Sequence, residues 1–252
     1  LRQEAEENNL DAKARTMAFR RWDTCSMCKQ DYHGVVACAL GWASWKTYLG
    51  RPETDWARRL AMTQLGNGLH EVKQHEDALS VRKTELAMLR RIGVSEGDLL
   101  CTQGNLANSY GKLGRLEEAN QMYRDINSEY VKLLGEEHVR TLTAALNYAS
   151  SLLQLKRFEE VKALLRKTIP MARRVLGESD ETTLKMHWTH AEMLYKDDSA
   201  TLSDLRKAVT MLEDAGRIAR RVFGGAHPLT IGLEFHLRKL RAALAARETP
   251  SP

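Results

Sequence analysis

A spacing of 42 residues, repeated along the chain, limits what it can fold into more than any other feature. Leu134-Gly135 with Thr141-Leu142 recurs as Leu176-Gly177 with Thr183-Leu184. Arg115-Leu116-Glu117-Glu118 recurs as Arg157-Phe158-Glu159-Glu160, and Ile92-Gly93 stands 42 residues ahead of Leu134-Gly135. A fixed period of this size marks a solenoid, in which each unit buries its apolar face only against its neighbours.

Within one unit, Leu106-Ala107-x2-Tyr110 is followed by Ala119-x3-Tyr123. Small residues let two helices approach and large ones fill the gap between them. The pattern returns as Leu65-Gly66-x2-Leu69 with Ala78, as Tyr148-Ala149-x2-Leu152 with Val161-x3-Leu165, and as His190-Ala191-x2-Leu194 with Ala208-x3-Leu212. This spacing resembles that of tetratricopeptide repeats. The Trp slot of that pattern holds Met62, Gln103, Ala145 and His187. With its 42-residue period, and with Leu134-Gly135-Glu136-Glu137-His138 and Phe223-Gly224-Gly225-Ala226-His227-Pro228 at unit junctions, the chain resembles the kinesin light chain-like repeat proteins from roughly Arg58 to Thr230. The resemblance implies an all-α fold, a right-handed superhelical solenoid of antiparallel helix pairs with a C-terminal capping helix.

The expected organisation follows from the register. Residues 1–21 read as a solvated leading helix and 22–57 as a diverged first helix pair. Four repeats run over 58–99, 100–141, 142–183 and 184–229, residues 230–248 form the capping helix and 249–252 a tail. Gly50-Arg51-Pro52 breaks the chain ahead of Thr54 and Asp55, either of which can cap the next helix. Pro170 falls inside the second helix of the third repeat, where it predicts a kink. The stretch from Lys196 to Ala200 predicts a longer turn in the fourth.

The composition fits such an array: 28% of residues are charged and 6% aromatic, and there are 5 prolines. The net charge of +5 has a local origin, because Arg90, Lys132, Arg174 and Arg221 recur in the last turn of each second helix, at the negative end of its dipole. That reading disfavours a nucleic-acid surface. Four cysteines, three of them between Cys25 and Cys38, do not form a secreted disulfide framework, which points to a reducing, cytoplasmic setting. The absence of a long apolar run argues against a membrane partner. The first residue, Leu1, suggests a piece of a longer protein, and the oligomeric state is left open.

No nucleotide loop, hydrolase elbow or HExxH motif is present, so the chain reads as no enzyme. His187 and His190 occupy core slots of their repeat and read as packed residues rather than metal ligands. Cys25, Cys28, His33 and Cys38 have the ligand spacing of a zinc knuckle and could close a tetrahedral site, although Cys38 lies in an apolar stretch that also suits a buried helix. The open positions of the first helices collect Gln64 and Asn67, Asn105 and Asn108, Asn147 and Ser150, and Thr189 and Glu192. Amides both donate and accept, so such a ladder suits the backbone of an extended chain.

The function expected from these features is a non-catalytic scaffold that binds an extended peptide of a protein partner in a concave groove. Two alternatives stand beside it. One is a zinc-knuckle-like N-terminal module that binds nucleic acid or a partner, and the other is a regulatory fragment of a larger enzyme.

Overall fold

In the computed structural model of the protein, the described residues are Met17, 19–25, Met27 and 31–248. The expected leading helix over 1–21 therefore lies mostly outside them, as does the tail. Ten α-helices follow among the described residues: α1 (Gly34–Tyr48), α2 (Trp56–Glu71), α3 (His75–Ile92), α4 (Glu96–Lys112), α5 (Leu116–Leu134), α6 (Val139–Gln154), α7 (Phe158–Val175), α8 (Glu181–Lys196), α9 (Leu202–Phe223) and α10 (Pro228–Glu248). A single turn of 3-10 helix, Arg20–Trp22, precedes them, and an isolated bridge pairs Thr24 with Asp31. None of the helices is long and apolar enough to cross a membrane.

The junction motif has a local explanation. Its glycine ends a second helix in the left-handed region, at Gly93 (φ 67°), Gly135 (φ 82°) and Gly177 (φ 94°), where a Cβ would be strained. Two or three residues later comes the N-cap of the next first helix, at Ser95, His138 and Asp180. His138 Nδ1 accepts from the Arg140 amide at 3.1 Å, and Asp180 accepts from the Thr182 amide at 2.7 Å. The threonine of the motif is buried at Thr141, Thr183 and Thr230, and Thr141 donates to the Tyr130 carbonyl at 3.2 Å. The 42-residue repeat thus records the stop of one helix and the start of the next.

One compact unit ends at Arg115 and a second begins at Leu116. In the first, α1 to α4 stack in sequence, each on the next. Residues 22–57 are expected to form a helix pair; among the described residues of that range the one complete α-helix is α1, which packs on α2. Two glycines permit that close approach: a Cβ on Gly68 would stand 2.7 Å from Cys38 Cα, and one on Gly41 would stand 3.0 Å from the Gln64 carbonyl oxygen. Asp55 caps α2, accepting from the Ala57 amide at 2.8 Å and the Arg58 amide at 3.1 Å. Phe19, Tyr48, Ala57 and Ala61 form an aromatic-rich cluster with Trp22, Trp45 and Trp56, which holds the residues before α1 against α1 and α2.

In the second unit α5 to α10 stack likewise, and α8 also packs on α6 and α10. Leu142, Leu152, Val161, Leu165 and Met186 centre one core; Leu184, Leu205, Leu212, Leu233 and Leu240 centre the next. In α9 the buried residues Leu205, Ala208, Leu212, Ala215 and Ala219 recur every three or four positions, the stripe an amphipathic helix needs. α7 continues through Pro170 to Val175. The expected long turn joins α8 to α9, where Asp197 accepts from Ser199 and a reciprocal cap between Thr201 and Asp204 starts α9. α10 closes the array with Leu229, Leu233 and Leu240 buried against its neighbours.

Candidate functional site

Among the described residues of the first unit lies a cleft of about 520 Å³. Its walls come from the residues before α1 and from the open faces of α2, α3 and α4. Asn67, Asn105 and Asn108 line it, together with Gln64, so the four positions of the expected ladder that fall in this unit share one cleft. Asn67 and Asn108 are exposed and Asn105 is half-buried.

Gln64 differs from expectation. It is only 8% exposed, because the residues before α1 cross over α2 at this point. Its side-chain amide donates to the Trp22 carbonyl at 3.0 Å and is also hydrogen-bonded to Asp23. Gln64 therefore ties down the wall of the cleft and is not an open rung of the ladder.

The floor of the cleft is set by Arg82 on α3, a residue the sequence did not single out. It is 3% exposed, yet it carries a charge, and its guanidinium is met by fixed acceptors. Nη1 donates to the Asn105 carbonyl at 2.7 Å and to Ser109 Oγ at 2.5 Å, while Nη2 donates to Asn67 Oδ1 at 3.1 Å. With its oxygen held, Asn67 keeps its NH₂ for other acceptors. Arg82 also lies against Gly66, where an added Cβ would stand 3.4 Å from Arg82 Cγ. One turn along α3, Glu85 is buried and accepts from Thr63; burial raises its carboxyl above the usual range, and the Thr63 bond and the charge of Arg82 oppose that shift.

The mouth of the cleft carries carboxylates. Asp23 and Asp31 stand on the two sides of the Thr24–Asp31 bridge, with the Tyr32 amide donating to the Asp23 carbonyl at 2.8 Å and Thr24 Oγ1 donating to Asp31 Oδ1 at 2.9 Å. Burial and then the charge of Asp31 raise the Asp23 carboxyl, against the bond from Gln64 and the charge of Arg20. Glu71 accepts from the Gly34 amide at 3.2 Å and lies 3.9 Å from His33 Nδ1. The imidazole pKa of His70, also on the lining, is lowered first by burial and then by the charges of Arg82, His75 and Lys112, with Glu71 opposing.

In the second unit Asn147 is exposed and Ser150 half-buried on α6, as the register predicts. Thr189 is not open: it is 7% exposed on α8, which packs on four helices, and its hydroxyl donates to the Lys185 carbonyl at 2.9 Å. Glu192 is half-buried and pairs with Lys196 at 2.8 Å. Of the recurrent basic residues, Lys132 pairs with Glu129 at 2.6 Å and Arg174 with Glu137.

The cysteine and histidine set divides. Cys38 is half-buried in α1 and packs against the cluster of Leu65, Leu69 and Ala78. His33 sits exposed at the N-cap of α1, Cys25 is half-buried, and Cys28 lies outside the described residues. Among the described residues no three His, Cys, Asp or Glu side chains converge on a point that could hold a metal ion.

Comparison with known proteins bears on the fold. Residues 98–174 match the tetratricopeptide repeat family. A search of curated proteins finds no relative. The crystal structure of BtubC (BKLC) from P. vanneervenii is similar over 86% of this chain and 93% of that one, with 16% identity and a TM-score of 0.57. The Q17M structure of the Podosopora anserina putative kinesin light chain, with nearly identical TPR-like repeats, covers 76% of this chain and 88% of its own, with 19% identity and a TM-score of 0.61. A Rap protein complexed with Competence and Sporulation Factor covers 83% of this chain and 59% of its own, with 13% identity and a TM-score of 0.54. The likeness to these solved structures shows a shared fold, that of kinesin light chain-like repeat arrays, and the match to the tetratricopeptide repeat family is confined to residues 98–174.

Proposed function

We propose that this tetratricopeptide repeat protein is a non-catalytic scaffold that takes an extended peptide segment of a protein partner, with the cleft of its first unit as one binding surface. The coarser part of this reading, a protein–protein interaction scaffold, belongs to the repeat fold itself. The finer part is carried by one observation: Asn67, Asn105 and Asn108, from two successive first helices, line one cleft, and Arg82 beneath them holds Asn67 by its oxygen and α4 by the Asn105 carbonyl.

An extended peptide offers a carbonyl and an N–H at every residue, and side-chain amides match both. A cleft of this size with a fixed floor lowers the ordering cost of binding, because the rungs are already positioned. Asn147 and Ser150 offer the same chemistry on α6 in the second unit. The Rap structure complexed with Competence and Sporulation Factor is a precedent for a bound factor on a related fold, at 13% identity.

The test is selection of peptides from a displayed random library on the full chain, followed by nuclear magnetic resonance with the selected peptide. The reading expects the side-chain amide signals of Asn67, Asn105 and Asn108 to move on binding. Selected peptides that leave all three signals in place overturn it.

A further inference from the structure

Three ion pairs cross the seam between α9 and α10 at even intervals. Arg206 donates to Glu248 at 2.8 Å, Arg241 to Glu213 at 2.6 Å and Arg220 to Glu234 at 2.5 Å. The rungs fall at 206, 213 and 220 on α9 and at 248, 241 and 234 on α10, so each interval is 7 residues, two turns of helix or about 10.5 Å. The first interval is filled: Val209 and Leu244 are half-buried and pack on the core of the second unit. Seven residues along each helix the same two places are held by Gly216 and Leu237, and there a hollow of about 420 Å³ opens between the second and third rungs. Gly216 is buried, yet a Cβ on it would meet no atom beyond its own stretch of helix within 4 Å. In the preceding repeat the equivalent place, 8 residues ahead of the junction glycine, holds buried Ile169. The chain thus leaves open a space that its own pattern fills elsewhere, and keeps a glycine inside a helix where alanine would be favoured.

The charge of the chain gathers around this hollow. Residues 202–248 hold 9 Lys or Arg against 5 Asp or Glu, so +4 of the net +5 lies on α9 and α10. Three of those arginines bound the hollow. Arg220 and Arg241 stand in its two rungs, and Arg217 is exposed on the rim, paired within its own helix with Asp214 at 3.1 Å. Arg220 uses Nε and Nη2 on Glu234, and Arg241 uses Nη2 on Glu213, which leaves further guanidinium donors on both. We infer that the hollow takes a carboxylate side chain, glutamate or aspartate, from an acidic segment of a protein partner, as a binding site distinct from the cleft of the first unit. The methylenes of a glutamate would lie over Gly216 and Leu237, and its carboxylate would meet Arg217 with the rung arginines on either side. Three guanidiniums against the carboxylates of Glu213 and Glu234 leave one positive charge, which suits a monoanion. A run of nucleic-acid phosphates would instead be set against Glu213 and Glu234 at successive rungs. The surplus charge of the two helices draws an acidic segment towards the seam, and the unfilled interval fixes where one of its side chains seats.

The probes are a blocked octapeptide of alternating serine and glutamate, the same peptide with glutamine for glutamate, and an oligouridine of equal length, each titrated into the full chain at about 0.05 M salt and followed by nuclear magnetic resonance. The glutamate peptide should bind about five- to tenfold tighter than the glutamine peptide and move the backbone signals of Gly216, Arg217 and Leu237. Arg217→Gln leaves all three rungs in place and should bring the two peptides within about twofold of each other. Gly216→Leu puts an apolar side chain into the hollow, as Ile169 does in the preceding repeat, and should abolish the response; if that variant loses helical circular dichroism, Arg217→Gln decides alone. Equal binding of the two peptides to the parent chain overturns the inference, as does a glutamate preference that survives Arg217→Gln. Tighter binding of oligouridine at the same signals overturns it in favour of nucleic acid. A glutamate peptide that moves the Asn67, Asn105 and Asn108 amides and not Gly216 overturns this site and leaves the reading of the first-unit cleft standing, and failure of every probe to move Gly216, Arg217 or Leu237 overturns it outright.

Discussion

Arg82 Nη2 donates to Asn67 Oδ1 at 3.1 Å, from beneath the cleft, and so turns the NH₂ of an exposed amide outward. The same guanidinium reaches α4 at Asn105 and Ser109, which makes one buried charge the tie between three helices.

The first prediction follows from that tie. Arg82→Met keeps the apolar stem but leaves the Ser109 hydroxyl and the Asn105 carbonyl without their donor, and withdraws a positive charge from buried Glu85. Unsatisfied buried groups cost about 1–3 kcal/mol each, so the first unit should lose about 2–4 kcal/mol. Urea unfolding followed by circular dichroism checks this, and a loss under about 0.5 kcal/mol, typical of surface positions, contradicts it.

Gly68→Ala tests the packing of α1 on α2. The new Cβ would meet backbone, Cys38 Cα at 2.7 Å and the Ala37 oxygen at 2.8 Å, so the helices must separate. Overpacking of this kind costs about 1–3 kcal/mol. Hydrogen exchange should show α1 opening more readily while the helices of the second unit keep their protection.

Much of this was legible in the sequence, and for physical reasons. The 42-residue period combined with the helical period places Asn67, Asn105, Asn108 and Asn147 on open faces, since neighbours in a repeat array bury the same face each time. Gln64 was misplaced because the covering segment around Trp22 precedes the array and obeys no repeat. Thr189 was misplaced because α8 has packing partners on more sides than the other first helices. Arg82 was missed since a charged residue in an amphipathic helix is ordinarily solvated. A signal for it does exist: Ser109 and Ser151 are 42 residues apart, both buried, and each is bonded to the preceding second helix, by Arg82 in one unit and by Asn120 in the other. Small polar residues recurring on a buried face mark such ties.

Cys38 decides between core and ligand in the N-terminal region. Packed against Leu65, Leu69 and Ala78, it should lose about 1 kcal/mol of stability on change to Ser, with or without zinc in the buffer. Stability that rises by several kcal/mol on zinc addition to the parent chain, and fails to do so in Cys28→Ser, would instead establish the Cys25, Cys28, His33 and Cys38 site.

Two buried histidines of the second unit should contribute acid sensitivity. Burial lowers the imidazole pKa of His187 and of His190, with Glu178 and Asp214 opposing for His187, and His187 and Lys162 adding to the shift of His190. The unfolded chain takes up these protons near its ordinary value of about 6.5, before the folded chain does, so stability is full above that value and is lost as pH falls through it. His190 fills the slot held by Leu65, Leu106 and Tyr148 in the other repeats. His190→Leu should therefore flatten the decline in urea midpoint between about pH 7.5 and 5.5. An unchanged slope would contradict the assignment.

The central claim, that amides of the first helices grip a peptide backbone, is tested most directly by calorimetric titration of a library-selected peptide into three proteins: the parent chain, Asn105→Ala/Asn108→Ala, and Lys132→Ala/Arg174→Ala. Two lost hydrogen bonds at about 0.5–1.5 kcal/mol each should weaken binding about five- to hundredfold in the Asn variant. The basic variant, whose residues are already paired with Glu129 and Glu137, should bind within about twofold of the parent. Binding abolished by the basic pair and untouched by the Asn pair would contradict the account and place the partner on the charged helix ends.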